Sequence, residues 1–119
     1  MPNPFGAPEI TVQELAEKSK TEDSFVWLDV REPHELSRAS IEGKGILMVP
    51  LSELAAHQLD ALPDVVQNKD TEIVVMCHHG TRSAQVVVWL QQQGWTNILN
   101  LAGGIDAWAK EIDPATGLY

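Results

Sequence analysis

Cysteine is almost absent: Cys77 is the only one among 119 residues. An intramolecular disulfide is therefore impossible, and the composition suits a reducing, cytoplasmic setting rather than a secreted one. Basic residues are also scarce, 8 against 17 acidic ones, for a net charge of -9. Such a surface repels phosphate backbones and anionic headgroups, which argues against nucleic-acid and membrane partners. Long apolar runs are missing as well. Ile73–Met76 and Val86–Leu90 are the longest stretches, far short of a membrane span. The start, Met1-Pro2-Asn3-Pro4-Phe5-Gly6, has no basic region followed by an apolar one, so no secretory signal is expected. At this length the chain reads as one domain, large enough to fold without disulfides or metal.

Residues 1–7 read as an irregular arm, because proline recurs there. Thr11-Val12-Gln13-Glu14 has capping-box spacing, and Val12, Leu15 and Ala16 follow at helical intervals. A helix is predicted from Val12 to about Lys20, broken by Glu22-Asp23-Ser24. Phe25–Val30 and Ile73–Met76 are nearly continuous apolar runs, as in strands buried on both faces of a parallel sheet. Ile46–Val49 and Asn97–Leu101 are two further predicted strands, the former after a Gly43-Lys44-Gly45 turn. Pro33 opens a short helical turn through Leu36. Helices are predicted over Glu53–Leu62 with Ser52 as cap, over Ala84–Gln93 ended by Gly94, and over Ile105–Glu111. Strands alternating with helices through short links imply an α/β domain, its mostly parallel sheet flanked by helices on both faces.

The segment Cys77-His78-His79-Gly80-Thr81-Arg82-Ser83 joins a strong strand to a helix. Ligands of open α/β sheets collect at the carboxyl ends of strands. A loop turning there into a helix N-terminus aims backbone N–H groups inward, and the helix dipole adds partial positive charge. Both favour a thiolate, so Cys77 is the candidate nucleophile. Gly80 permits a left-handed cradle, and Arg82 offers a planar fork for an anion. The plain alternative is an inert core cysteine. Two histidines, a glycine and an arginine are poor company for one.

Three blocks resemble the rhodanese family. They are Leu28–Glu35 with its Asp29-Val30-Arg31, the loop Cys77–Arg82 followed by Ser83, and Asn97–Trp108 with Gly103-Gly104. The resemblance spans residues 8–112 and leaves a tail at 113–119. It implies the rhodanese-like fold and a sulfurtransferase working through a Cys77 persulfide. The donor would be thiosulfate or another sulfane-sulfur compound. The acceptor would be cyanide, a small thiol or a sulfur-carrier protein. The chain is expected to act as a monomer, without cofactor or metal.

By the same resemblance, His78, His79, Gly80, Thr81, Arg82 and Ser83 cradle the carried sulfur, with Arg82 the principal anion contact. Asp29 and Arg31 support the loop, Asp29 by orienting a loop or helix-start arginine. Phosphatases and arsenate reductases of related fold have five residues between cysteine and arginine. Here there are four, a smaller ring suited to one sulfur atom. The intact loop also argues against a binding module that has lost its chemistry. Residues Trp108–Pro114 resemble rhodanese domains fused behind adenylyltransferases of ubiquitin-like proteins. One departure is Ser37–Gly45, which replaces the family's Gly-His-Ile block and bears on donor and acceptor preference.

The supporting residues have plainer readings too. Asp29 and Arg31 could be a surface ion pair. His78 and His79 either line the mouth, partly protonated, or are solvated loop residues; adjacent residues seldom point at one metal. Thr81 and Ser83 are expected chiefly to cap the helix. Trp89, Trp95 and Trp108 read as packing groups, and Gly103-Gly104 as a tight turn with close chain approach.

Overall fold

The structure is a computed structural model that describes residues 5–20, 24–41 and 45–119. The turn expected at Gly43-Lys44-Gly45, the break at Glu22-Asp23-Ser24 and most of the arm at 1–7 fall wholly or partly outside these residues. The elements in chain order are β1 (Glu9–Ile10), α1 (Val12–Lys20), β2 (Val26–Asp29), β3 (Leu47–Met48), α2 (Leu51–His57), β4 (Ile73–Met76), α3 (Thr81–Gln92), β5 (Ile98–Leu101) and α4 (Gly104–Glu111). Short 3-10 turns fill several links, among them Pro33–Ser37 and Pro114–Thr116. Among the described residues no helix is long and apolar enough to cross a membrane.

The five strands form one parallel sheet in the order β1-β5-β4-β2-β3. Alternation along the central strands divides the core into two layers. Leu28, Val30, Ile73, Val75 and Cys77 join one cluster, packed with Leu54 of α2 and Val86, Val87 and Leu90 of α3. Trp27, Val74 and Met76 join the other, with Leu15 of α1 and Ile105 and Trp108 of α4. Helices thus cover both faces, as the apolar runs predicted. Trp95 and Trp108 are buried; the Trp95 indole N–H donates to the Val66 carbonyl, and Trp108 meets Trp27 edge to face at 5.2 Å.

The predicted α1 cap is present: the Glu14 N–H donates to Thr11 Oγ1, and the Thr11 N–H to Glu14 Oε1. The predicted Glu53–Leu62 helix differs. The α-helix starts earlier, after Pro50, and gives way to a 3-10 turn at Gln58, whose φ is 52°. Ser52 does not cap it; its hydroxyl and N–H both donate to Glu32, tying α2 to the turn after β2. β1 lies beside the predicted arm and was missed, since two residues are too few for a periodicity to show.

The chain leaves β2 toward β3 at one edge and leaves β4 toward β5 on the other side. Strand order therefore reverses between β2 and β4, where α/β sheets open their ligand crevice. Asp29 ends β2, and Cys77 directly follows β4.

Candidate active site

β4 carries the chain through the core and releases it at Cys77. Gly80, with φ 100°, turns it back as the N-cap of α3. A side chain at Gly80 would press on the Gly103 N and Leu101 carbonyl. The loop is also pinned from α4: the Ile105 and Asp106 N–H groups donate to the Cys77 and His78 carbonyls at 2.9 and 3.0 Å. Gly104 permits this approach, because a Cβ there would collide with both carbonyls. The close approach expected of Gly103-Gly104 is observed, with φ of 76° and 61°.

Cys77 is 1% exposed. Its surroundings are mixed. The residue belongs to one core layer, yet its Sγ accepts the Gly80 N–H at 3.1 Å and lies 3.3 Å from the Ser83 hydroxyl. Ser83 is buried and its hydroxyl donates to Asn100 Oδ1. It caps nothing, contrary to expectation, since Gly80 occupies the cap position without a side-chain bond. Thr81 is exposed on the first turn of α3.

Arg82 and Glu35 form a paired fork, with guanidinium N–H groups donating to the two carboxylate oxygens at 2.8 and 2.9 Å. The Arg82 bonds hold the Glu35 carboxyl down at about 2, against the opposing effect of burial. Arg82 is correspondingly raised by Glu35. Two of its five donors are thus engaged by a carboxylate of the same chain.

Of the loop and helix-start arginines, Asp29 holds the one in the loop that follows β2. It binds Arg31 rather than Arg82, accepting Nη2 at 2.8 Å and Nε at 3.1 Å. The Arg31 Nη1 donates onward to the Ala39 carbonyl and the Tyr119 hydroxyl. Burial works against the Arg31 charge, and the bonds to Asp29 and Tyr119 more than offset it. Arg31 and Asp29 are 1% and 2% exposed, so this is no surface pair.

Tyr119 links the two pairs, because its hydroxyl also donates to Glu35 Oε1 at 2.9 Å. Its ring stacks on His78 with centroids 3.7 Å apart, and His78 stacks on His79 at 3.8 Å. Burial, then the neighbouring His79, pushes His78 below its ordinary value. It is therefore less protonated near neutral pH than the sequence suggested. His79 faces Asp106 at 3.7 Å, and Asp106 is held low by Lys110 at 2.9 Å. His78, His79 and Asp106 bring donor atoms within 4.8 Å of one another. The two rings are stacked on each other, and the carboxylate is already paired to Lys110.

The loop residues 77–83 and the Asp29–Arg31 pair meet at this crevice. Glu35, Asn100 and Tyr119 belong to it as well and were missed. No local signal marks them, although Glu35 and Asn100 lay inside two of the recognised blocks. Part of the divergent Ser37–Gly45 segment reaches the site through the Ala39 carbonyl; residues 42–44 lie outside the described ones.

Known proteins are similar to this chain in sequence and fold. A sulfurtransferase from Allochromatium vinosum is 32% identical over 102 residues, covering 86% of this chain and 88% of that protein. The chloroplastic rhodanese-like/PpiC domain-containing protein 12 of Arabidopsis thaliana is 36% identical over 114 residues, and the matched part is 93% of this chain but only 37% of that longer protein. The crystal structure of a rhodanese-related protein from Thermoplasma volcanium superposes with a TM-score of 0.70 at 36% identity, covering 88% of this chain and 93% of that one. A family model described as the rhodanese-like domain matches residues 11–111. With its parallel sheet and its cysteine loop at the strand-order reversal, the chain belongs to the rhodanese-like domain family.

Proposed function

We propose that this chain is a sulfurtransferase that carries a sulfane sulfur as a persulfide on Cys77. The observation that carries the reading is the Cys77 sulfur at the floor of the loop, accepting the Gly80 N–H and lying beside the Ser83 hydroxyl. Donors of this kind favour a sulfur anion. In the first step the Cys77 thiolate attacks the outer sulfur of the donor. A new S–S bond forms, the old one breaks, and the leaving group departs with the electron pair. With thiosulfate that group is sulfite. In the second step a nucleophile such as cyanide or a thiolate takes the terminal sulfur, and Cys77 leaves as thiolate. No net oxidation occurs, so no cofactor is needed. The shared family and the name of the Allochromatium relative support the reaction class. The lone free thiol suits a cytoplasmic enzyme.

Charge favours one donor class over the other. Arg82 faces Glu35, Arg31 faces Asp29, and Lys110 faces Asp106. A dianion such as thiosulfate meets cations already balanced by carboxylates, in a chain of net charge -9. A thiol persulfide, with less charge to compensate, is the better-matched donor.

The test is intact-protein mass after exposure to thiosulfate or to a small-molecule persulfide. Wild type is expected to gain one sulfur atom, removable by dithiothreitol, more completely from the persulfide. Cys77→Ser is expected to gain none from either. Glu35→Gln, which releases Arg82 from its counter-charge, is expected to improve loading from thiosulfate. A wild-type protein that stays unloaded with both donors would overturn the reading.

A further inference from the structure

The sulfur-transfer steps make no use of Asn100, yet this residue is fully buried on β5 and touches the loop twice. Its Nδ2 donates to the Gly80 carbonyl at 3.1 Å and to Glu9 Oε2 at 2.8 Å. A carbonyl and an ionised carboxylate only accept. The amide nitrogen must therefore face them, which turns Oδ1 toward Ser83. The Ser83 hydroxyl stands within hydrogen-bond reach of both Asn100 Oδ1 and Cys77 Sγ. It has a single proton to give. Given to the amide, it leaves oxygen lone pairs facing the sulfur, an arrangement that receives an S–H. Given to the sulfur, it stabilises the anion and leaves the buried Oδ1 without its donor.

We propose that Asn100 is a positioning residue that competes with Cys77 for the Ser83 proton and so governs how easily the reactive thiolate forms. The inference rests on the reading of Cys77 as the nucleophile. In the thiol state the hydrogen bonds run from sulfur to Ser83 to Asn100. When the thiol loses its proton to solvent, the Ser83 hydroxyl turns to the sulfur. Asn100 opposes that turn, and its hold on the Gly80 carbonyl keeps the loop in place meanwhile.

Other charged groups surround the loop. Arg82 on α3 acts on the Cys77 charge directly, with Glu35 and Tyr119 bonded behind it or beside it. His78, His79 and Asp106 form the stack and ion pair described above. Glu9 touches Asn100 itself. None of them is bonded to Ser83 among the described residues, so a double mutant through Ser83 separates this effect from theirs.

The experiment is the pH profile of Cys77 alkylation by iodoacetamide, unambiguous in a chain with one cysteine. Asn100→Leu removes the competing acceptor. It is expected to move the profile's midpoint to lower pH and to speed alkylation below it by about fivefold, the worth of one hydrogen bond. Ser83→Ala is expected to move the midpoint upward. In the Ser83→Ala background, Asn100→Leu should add nothing. Asn100→Asp keeps an acceptor against Ser83 but adds a charge. It is therefore read as the upward shift in excess of that in the Ser83→Ala background, where only the charge acts. That excess decides the matter if circular dichroism shows Asn100→Leu unfolded. An unmoved or raised midpoint in Asn100→Leu would overturn the proposal. So would an equal shift with and without Ser83, in either variant. No sulfur donor is present, so failure here leaves sulfur transfer standing. A protein that alkylates as expected yet takes no sulfur would overturn only the transfer reaction.

Discussion

Two arginine–carboxylate pairs lie near the cysteine loop, joined through Tyr119, and they differ in setting. Asp29–Arg31 is sealed: the side chains are 3% and 1% exposed, and the guanidinium also serves the Ala39 carbonyl. Glu35–Arg82 lies at the surface side, with Arg82 31% exposed. A sealed pair contributes little net stability over an apolar substitute, yet breaking it strands a charge in the core. A partly wetted pair can lose a partner to water, and its charge remains available to a ligand. The first pair therefore acts as scaffold for the loop that follows β2. The second tunes the charge seen by whatever approaches Cys77. Tyr119 couples them by accepting from Arg31 and donating to Glu35.

The contrast can be broken at either end. Arg31→Ala is expected to have the largest effect, a loss of about 3–5 kcal/mol in urea unfolding, because Asp29 is left buried and unpaired. Arg31→Lys should recover little, since an ammonium cannot reproduce the fork. Arg82→Ala is expected to cost about 1–2 kcal/mol in the same measurement, as water reaches Glu35. Equal losses for the two arginines would erase the distinction.

Acid sharpens the comparison. Glu35 sits at about 2 in the folded protein against an ordinary 4.5. Its stabilisation is therefore present above about pH 4.5 and fades as pH falls toward 2, where the folded carboxyl takes up a proton. Glu35→Gln is expected to flatten unfolding free energy across that window, with its largest loss at neutral pH and convergence on wild type near pH 2. A slope unchanged from wild type would show that other carboxylates dominate. The smallest effect is expected for Tyr119→Phe, which keeps the stack on His78 but loses the hydroxyl. About 1 kcal/mol or less should go, a fall of several degrees in Tm for a domain of this size. In the Arg31→Ala background the loss should shrink, as one of the hydroxyl's two partners is already gone.

Local pattern accounts for much of this architecture. The apolar runs at Val26–Asp29 and Ile73–Met76 are buried as their composition requires, and Thr11 and Glu14 cap α1 at their sequence spacing. The strand-to-helix turn at Cys77–Ser83 is legible because its turn chemistry is contiguous. The misplaced boundaries have local causes that composition does not display, such as the left-handed Gln58 after α2. Glu35 illustrates a different limit. Its carboxylate looks like any surface acid until the fold brings it to Arg82, 47 residues along the chain. Asn100 and Tyr119 reach Glu9 and Glu35 across 91 and 84 residues.

The amino-acid sequence by itself determined the buried strands, the covering helices and the single thiol at the end of β4, since periodicity, turn residues and the cysteine count are properties of neighbours or of composition. Only the tertiary structure decided which carboxylate holds which arginine, that Ser83 faces sulfur and amide together, and that the final tyrosine bridges the two ion pairs. Those choices depend on where the sheet sets side chains remote in the chain, and a hydrogen bond is made by atoms a few ångströms apart in space, whatever their separation in sequence.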